Sequence, residues 1–122
     1  MKKIIIDLDN TITIENPNHD YPNKRVNLDV KNKIIEYKNN GFTICIHTAR
    51  NMKTYNNNVS KINAFTLPTI IDWLKKNEIP YDEIFVGKPW CGKGGFYVDD
   101  KAIRPNEFIQ LSNKDIDKLI NE

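Results

Sequence analysis

The chain has 122 residues, 39% hydrophobic and 28% charged, with a formal net charge of +2. That length holds one domain burying roughly two-thirds of the surface its unfolded chain exposes, and the composition excludes wholesale disorder. No apolar run approaches the ~20 residues that span a bilayer, and Asp7 and Asp9 interrupt any signal-peptide core behind Met1-Lys2-Lys3. The two cysteines, Cys45 and Cys91, form neither a CxxC pair nor a disulfide framework, which fits a reducing, cytoplasmic setting. The lysines are scattered rather than gathered in one basic block, so nucleic acid is an unlikely partner and a membrane is none.

In chain order the pattern alternates strand and helix. Lys3–Leu8 is a β-branched apolar run suited to a buried parallel strand. Asn27 can cap a helix in which Val30, Ile34 and Tyr37 recur at helical spacing, and Gly41 supplies its stop. Phe42–His47 reads as a second buried strand, and Thr48 as the cap of a short helix beginning at Ala49. Thr66, with Pro68 in the first turn, opens another helix carrying Ile70, Ile71, Trp73 and Leu74. Ile84–Val86 and Phe96–Val98 read as short strands, Phe108–Leu111 as a last one, and Ser112 with Asp115 as the start of a closing helix. The pattern predicts one Rossmann-like α/β domain over residues 1–122, built on a parallel sheet.

In such folds, sites gather beyond the carboxyl ends of the strands. There the chain places Asp7, Asp9 and Thr11, then His47, Thr48 and Arg50, then Lys88, then Asp99 and Asp100. Two carboxylates ~5 Å apart repel by roughly 3 kcal/mol at an effective dielectric of 20, so gathering four aspartates calls for a cation. With oxygen ligands alone and no Cys or His at zinc spacing, the ion is hard, Mg²⁺ first.

Asp7-Leu-Asp9-Asn-Thr11 resembles the first motif, DxDx[TV], of the haloacid dehalogenase (HAD) superfamily, most of whose members are phosphatases. Thr48, Lys88 and Asp99-Asp100 follow in that superfamily's order. More narrowly, His47-Thr-Ala-Arg50, Leu67-Pro, Trp73-Leu, Ile79-Pro-Tyr-Asp, Gly87-Lys-Pro and Val98-Asp-Asp-Lys-Ala-Ile resemble bacterial capsule-biosynthesis phosphatases. The resemblance implies a three-layer α/β/α HAD-like domain with no cap domain. It assigns Asp7 as nucleophile, Asp9 as general acid and base, and Thr48 and Lys88 as holders of the phosphate oxygens. The metal set is Asp7, Asp9 through its backbone carbonyl, and Asp99 and Asp100, with Asp100 favoured as the direct ligand of the pair. Candidate substrate contacts are Asn10, Ala49, Arg50, Tyr21 and Lys93. Lys88 is preferred over Lys93 as the phosphate lysine.

The implied activity is Mg²⁺-dependent hydrolysis of a small phosphomonoester (a sugar, polyol or amino-alcohol phosphate) through an aspartyl phosphate, in capsule or surface polysaccharide synthesis. Residues 12–26 form a flap and residues 51–65 a small cover segment; Asn18, His19, Arg25, Met52 and Tyr55 on them are further selectivity candidates. A capless site of this kind invites cover from a second copy of the chain. The other readings weighed are a nucleotide or polynucleotide-end phosphatase and a non-catalytic phosphate-binding or receiver-like domain. The receiver reading lacks an Asp beside His47-Thr48-Ala-Arg50 to phosphorylate. Gly87–Gly94 nearly spells a P-loop, but Gly94 stands where a hydroxyl is required, which excludes an NTPase.

Overall fold

The structure is a computed structural model that describes residues 2–121. The chain divides into two compact units, Met1–Trp90 and Cys91–Glu122.

The first unit is built on three parallel strands, β1 (Lys3–Ile6), β4 (Thr43–His47) and β5 (Glu83–Phe85), in the order β1-β4-β5. Ile6 pairs with Ile46, and Ile46 with Ile84, so these three share a sheet face. Between β1 and β4 lie an antiparallel hairpin of β2 (Thr13–Ile14) and β3 (Arg25–Val26), then helix α1 (Leu28–Asn39). The hairpin is the flap expected over residues 12–26. A single 3₁₀ turn, Tyr21–Asn23, sits at its far end, with Pro22 in the turn.

Between β4 and β5 the chain runs through α2 (Val59–Lys61), a π-helical turn (Ile62–Thr66) and α3 (Leu67–Lys76). The helix therefore begins well before the Thr66 start expected from sequence. Asn58 supplies the true cap, its side-chain oxygen accepting from the Lys61 N–H at 3.1 Å. No helix begins at Ala49; residues 50–57 form successive turns, with Asn51, Asn56 and Asn57 at positive φ, a conformation asparagine adopts more readily than most residues.

Both crossovers advance in the same direction across the sheet, so right-handed connections place α1 and α3 on one face. That face carries Ile6, Ile44 and Ile46, buried with Val30, Ile34 and Tyr37 of α1 and Ile70, Trp73 and Leu74 of α3. Burying each such side chain contributes about 1.5–3 kcal/mol, and this layer is the core that holds the strand ends in place. The opposite face holds Ile5 and Phe85, which are 64% and 53% exposed, and an ion pair between Lys3 and Glu83 at 2.7 Å. Asn27 caps α1 by accepting from the Val30 N–H, and Gly41 follows the helix with φ +88°, as read from sequence.

Asp82 ties the start of β5 to its neighbour. Its Oδ2 accepts from the Ile44 N–H at 2.8 Å, and Lys38 pairs with its other oxygen. The backbone bond, with Lys38 behind it, holds the Asp82 carboxyl below the usual carboxylate range. A carboxyl so depressed stabilises the fold above its unfolded value, and that stabilisation is lost as pH falls through the folded value. Asp82→Asn is therefore expected to lower the thermal midpoint at pH 7 and to flatten its fall below about pH 4. Parallel melting curves for the two proteins across that range would contradict it.

The second unit contains α4 (Pro105–Gln110) and α5 (Asn113–Ile120). Two expectations are corrected here. Phe108–Leu111 is not a strand: Pro105 opens a helix, the Arg104 N–H donates to the Glu107 carboxylate at 2.8 Å, and Phe108 is buried from within α4. Local capping outweighs the short apolar run. Phe96–Val98 is likewise in no strand among the described residues, and Phe96 is 80% exposed. A lone extended segment becomes a strand only by pairing, however high its β propensity. The closing helix is as expected, with Ser112 Oγ accepting from the Asp115 N–H at 3.2 Å.

Candidate active site

Asp7 lies one residue past β1, where the backbone leaves the sheet. Its Oδ1 lies 3.6 Å from Lys88 Nζ, and its Oδ2 accepts from the Thr11 hydroxyl at 3.3 Å. The turn presenting it is tight: the N–H groups of Thr11, Ile12 and Thr13 all donate to the Leu8 carbonyl. Asn10 takes φ +59° within this turn and donates its N–H to Thr13 Oγ1 at 3.0 Å. Leu8 and Ile12, both fully buried, anchor the turn from below.

Burial pushes the Asp7 carboxyl up from its ordinary value, against the opposing pull of Lys88 and Thr11. His47, at the end of β4, is pushed down by burial and by Lys88, so it is neutral near pH 7. At Asp7, burial outweighs the pull of the nearby lysine.

Asp9 faces a different set of groups. Arg50 grips it with both ends of its fork, Nε to Oδ2 at 3.0 Å and Nη2 to Oδ1 at 2.7 Å. Lys24 adds a second cation 3.9 Å from Oδ1. Both cations are nearly enclosed, whereas the Asp9 side chain keeps 28% of its surface exposed. The Arg50 guanidinium lies 4.1 Å from the centre of the Tyr21 ring, and Lys24 Nζ lies 5.2 Å from the same ring. Such stacking holds a guanidinium in one plane, which a two-point grip on a carboxylate requires.

Lys24 was not singled out in the sequence, yet it is 8% exposed and bonds Glu15 at 2.9 Å as well. Trp73 fixes the segment that carries it, donating its indole N–H to the Lys24 carbonyl at 2.8 Å. Only a helix-face position for Trp73 was visible beforehand. Met52, expected at the selectivity surface, is instead core at 5% exposure.

Thr48 is buried directly after β4. Its N–H donates to the Phe85 carbonyl, its carbonyl accepts from the Lys88 N–H at 3.1 Å, and its hydroxyl oxygen accepts from the Arg50 N–H at 3.1 Å. One residue thus joins the backbones leading to Lys88 and to Arg50. Ala49 lies half-buried between Thr48 and Arg50. The first unit brings together Asp7, Asp9, Thr48, Lys88, Arg50 and Tyr21. Lys93, Asp99 and Asp100 belong to the second unit and are exposed there, Asp99 Oδ1 accepting from the Lys101 N–H at 2.9 Å. Among the described residues no three or more His, Cys, Asp or Glu side chains gather closely enough to hold a metal ion.

The first unit is an α/β fold, a parallel three-stranded sheet with helices packed against it and an antiparallel flap. Within that class, the chain is similar to a protein from Vibrio cholerae known from a crystal structure. The two are 54% identical, the match covers 99% of this chain and 98% of that one, and the TM-score is 0.95. The chain belongs to the family of that Vibrio cholerae protein. It is also similar to a chain of the Pnkp1/Rnl/Hen1 complex, at 21% identity and a TM-score of 0.54, covering 90% of this chain and 34% of that one. No family model and no curated protein matches the sequence. Among the described residues no helix is long and apolar enough to cross a membrane.

Proposed function

We propose that the chain is a Mg²⁺-dependent phosphatase acting on a small phosphomonoester. One observation carries the reading: a half-buried carboxylate at the end of the first strand faces a lysine, with a second carboxylate two residues on, gripped by arginine. In the proposed reaction an Asp7 oxygen attacks phosphorus as the bond to the leaving oxygen breaks, giving an aspartyl phosphate. Asp9 delivers a proton to the leaving oxygen, for which one of its oxygens must leave the Arg50 fork. As the carboxylate, it then takes a proton from the water that attacks phosphorus, which releases phosphate and restores Asp7. Lys88 holds a phosphate oxygen and offsets the charge of Asp7, and the Thr48 hydroxyl holds another.

Asp7 has only oxygen ligands to offer, the donors a hard cation takes, while among the described residues no cluster of three or more potential ligand side chains gathers there. The Asp9 side chain is committed to Arg50 and Lys24, so its backbone carbonyl is the atom it offers. When bound, Mg²⁺ supplies charge that draws the phosphate toward Asp7 and stabilises the oxygens in transit.

The proposed leaving group is a small sugar, polyol or amino alcohol, and the resemblance to capsule phosphatases supports a role in surface polysaccharide synthesis in the cytoplasm. The expected result is phosphate release from at least one small phosphomonoester with Mg²⁺, and a loss of at least ~10²-fold in EDTA, restored by added Mg²⁺. Equal turnover in EDTA would remove the metal from the reading. Release only from polynucleotide ends, with strong salt dependence, would replace the substrate class.

A further inference from the structure

Beside the Asp9–Arg50 pair lies a recess of about 190 Å³, and the proposed reaction does not use it. Tyr21 of the flap, Arg50, Asn51, Tyr55, Phe65 and Thr69 line it. We propose that this recess is the leaving-group site, and that it takes a single polyhydroxylated ring, a monosaccharide rather than a nucleoside. This deepens the phosphatase reading and rests on it.

Three features carry the inference. The first is position: two nitrogens of Arg50 hold Asp9, the residue assigned to protonate the leaving oxygen, and the same side chain forms a wall of the recess. The recess therefore adjoins, through Arg50, the residue assigned to the leaving oxygen. The second is chemistry: the walls combine aromatic faces with an amide and a hydroxyl, a lining suited to ring C–H faces and edge hydroxyls. Tyr55 and Phe65 pair with ring centres 6.2 Å apart, and Phe65 remains 65% exposed although it is fixed by the helix that carries it. In the same wall Arg50 is 4% exposed, and its Nη1 is buried without a hydrogen-bond partner.

The third feature is size. A dry cavity of about 150 Å³ holds a benzene molecule, so the recess has room for one substituted six-membered ring. A nucleoside, with a base and a ribose, has two ring systems to place there. The wide turn at Ile62–Thr66 carries Phe65, and the flap carries Tyr21, so the two aromatic walls come from separate elements.

The test is steady-state phosphate release by the native chain and by Phe65→Ala and Thr69→Val. Substrates are hexose phosphates, nucleoside monophosphates and acetyl phosphate, which has no ring. Phe65 is largely exposed, so its removal leaves the fold intact. The expected result is a rise of at least tenfold in KM for the preferred hexose phosphate in Phe65→Ala. Its kcat should stay within about twofold and acetyl phosphate turnover should not change. Unchanged KM for the hexose phosphate, equal losses on acetyl phosphate, or preference for a nucleotide would overturn the assignment. If the native chain releases phosphate from none of them, the phosphatase reading fails. Calorimetric titration of hexose phosphates then tests the recess by itself, since binding weakened by Phe65→Ala supports the site and no binding removes it.

Discussion

Asp7→Asn is expected to eliminate phosphate release while making the fold more stable at neutral pH. The amide cannot form the aspartyl phosphate, and loss of a nucleophile of this kind removes at least ~10⁴-fold of the rate. The gain in stability follows from the position of the carboxyl. Burial raises it above its unfolded value, against Lys88 and Thr11, so the folded chain holds that proton more tightly than the unfolded chain does. Stability conferred by the native residue therefore falls as pH rises from the unfolded value through the folded one. The advantage of the amide should be absent at low pH, grow across that window and persist at pH 7. Thermal unfolding of both proteins from pH 3 to pH 8, beside phosphate release, measures it. A lower midpoint for the variant at pH 7 would mean that the Lys88 pair outweighs burial, and residual turnover near the native rate would displace Asp7 as nucleophile.

The second large effect is expected at Arg50. Truncation to alanine leaves Asp9 with Lys24 alone at 3.9 Å and empties the space behind the Tyr21 ring. Breaking an enclosed ion pair from one side costs about 3–5 kcal/mol. Asp9 is 28% exposed and keeps one cation, so a loss of ~2 kcal/mol is the expected scale. Activity should fall ~10²–10³-fold, mostly in kcat, because the acid and base loses its orientation. Arg50→Lys separates the two effects. A lysine restores charge and much of the stability, but as a point donor it cannot grip both carboxylate oxygens, so kcat should stay low. Full recovery of kcat in the lysine variant would reduce Arg50 to a source of charge.

What was legible in the sequence depended on how local each feature is. The placement of Asp7 and Asp9 needed only an apolar run followed by a turn, and that run is β1. The caps at Asn27 and Ser112 are likewise local, each made to a backbone N–H three residues on. Arg50 is legible only as a substrate contact, because its carboxylate partner lies 41 residues away and only the fold brings them together. Lys24 gave no signal: nothing local distinguishes a buried lysine from a solvated one. Phe96–Val98 was misread for the opposite reason, since strand propensity is local and strand pairing is not. Phe108–Leu111 shows that an apolar run of that length does not distinguish strand from helix, and Pro105 with Glu107 was the better guide.

The π turn at Ile62–Thr66 also constrains how this lineage can change. A π turn holds one residue more than an α turn, and a single insertion into an ordinary helix produces one. Excising Ala64, an exposed residue, would return the segment to regular α geometry. It would also rotate everything before it by roughly 100° about the axis, because Ile70, Trp73 and Leu74 hold the following helix in the core. Ile62, now fully buried, would swing off the core, whereas the wall bearing Phe65, which follows the excision, would stay with the helix. The extra residue is held in place by what packs against it. Descendants are free to change the side chains of that wall, but losing the extra residue requires rebuilding the core on the same step.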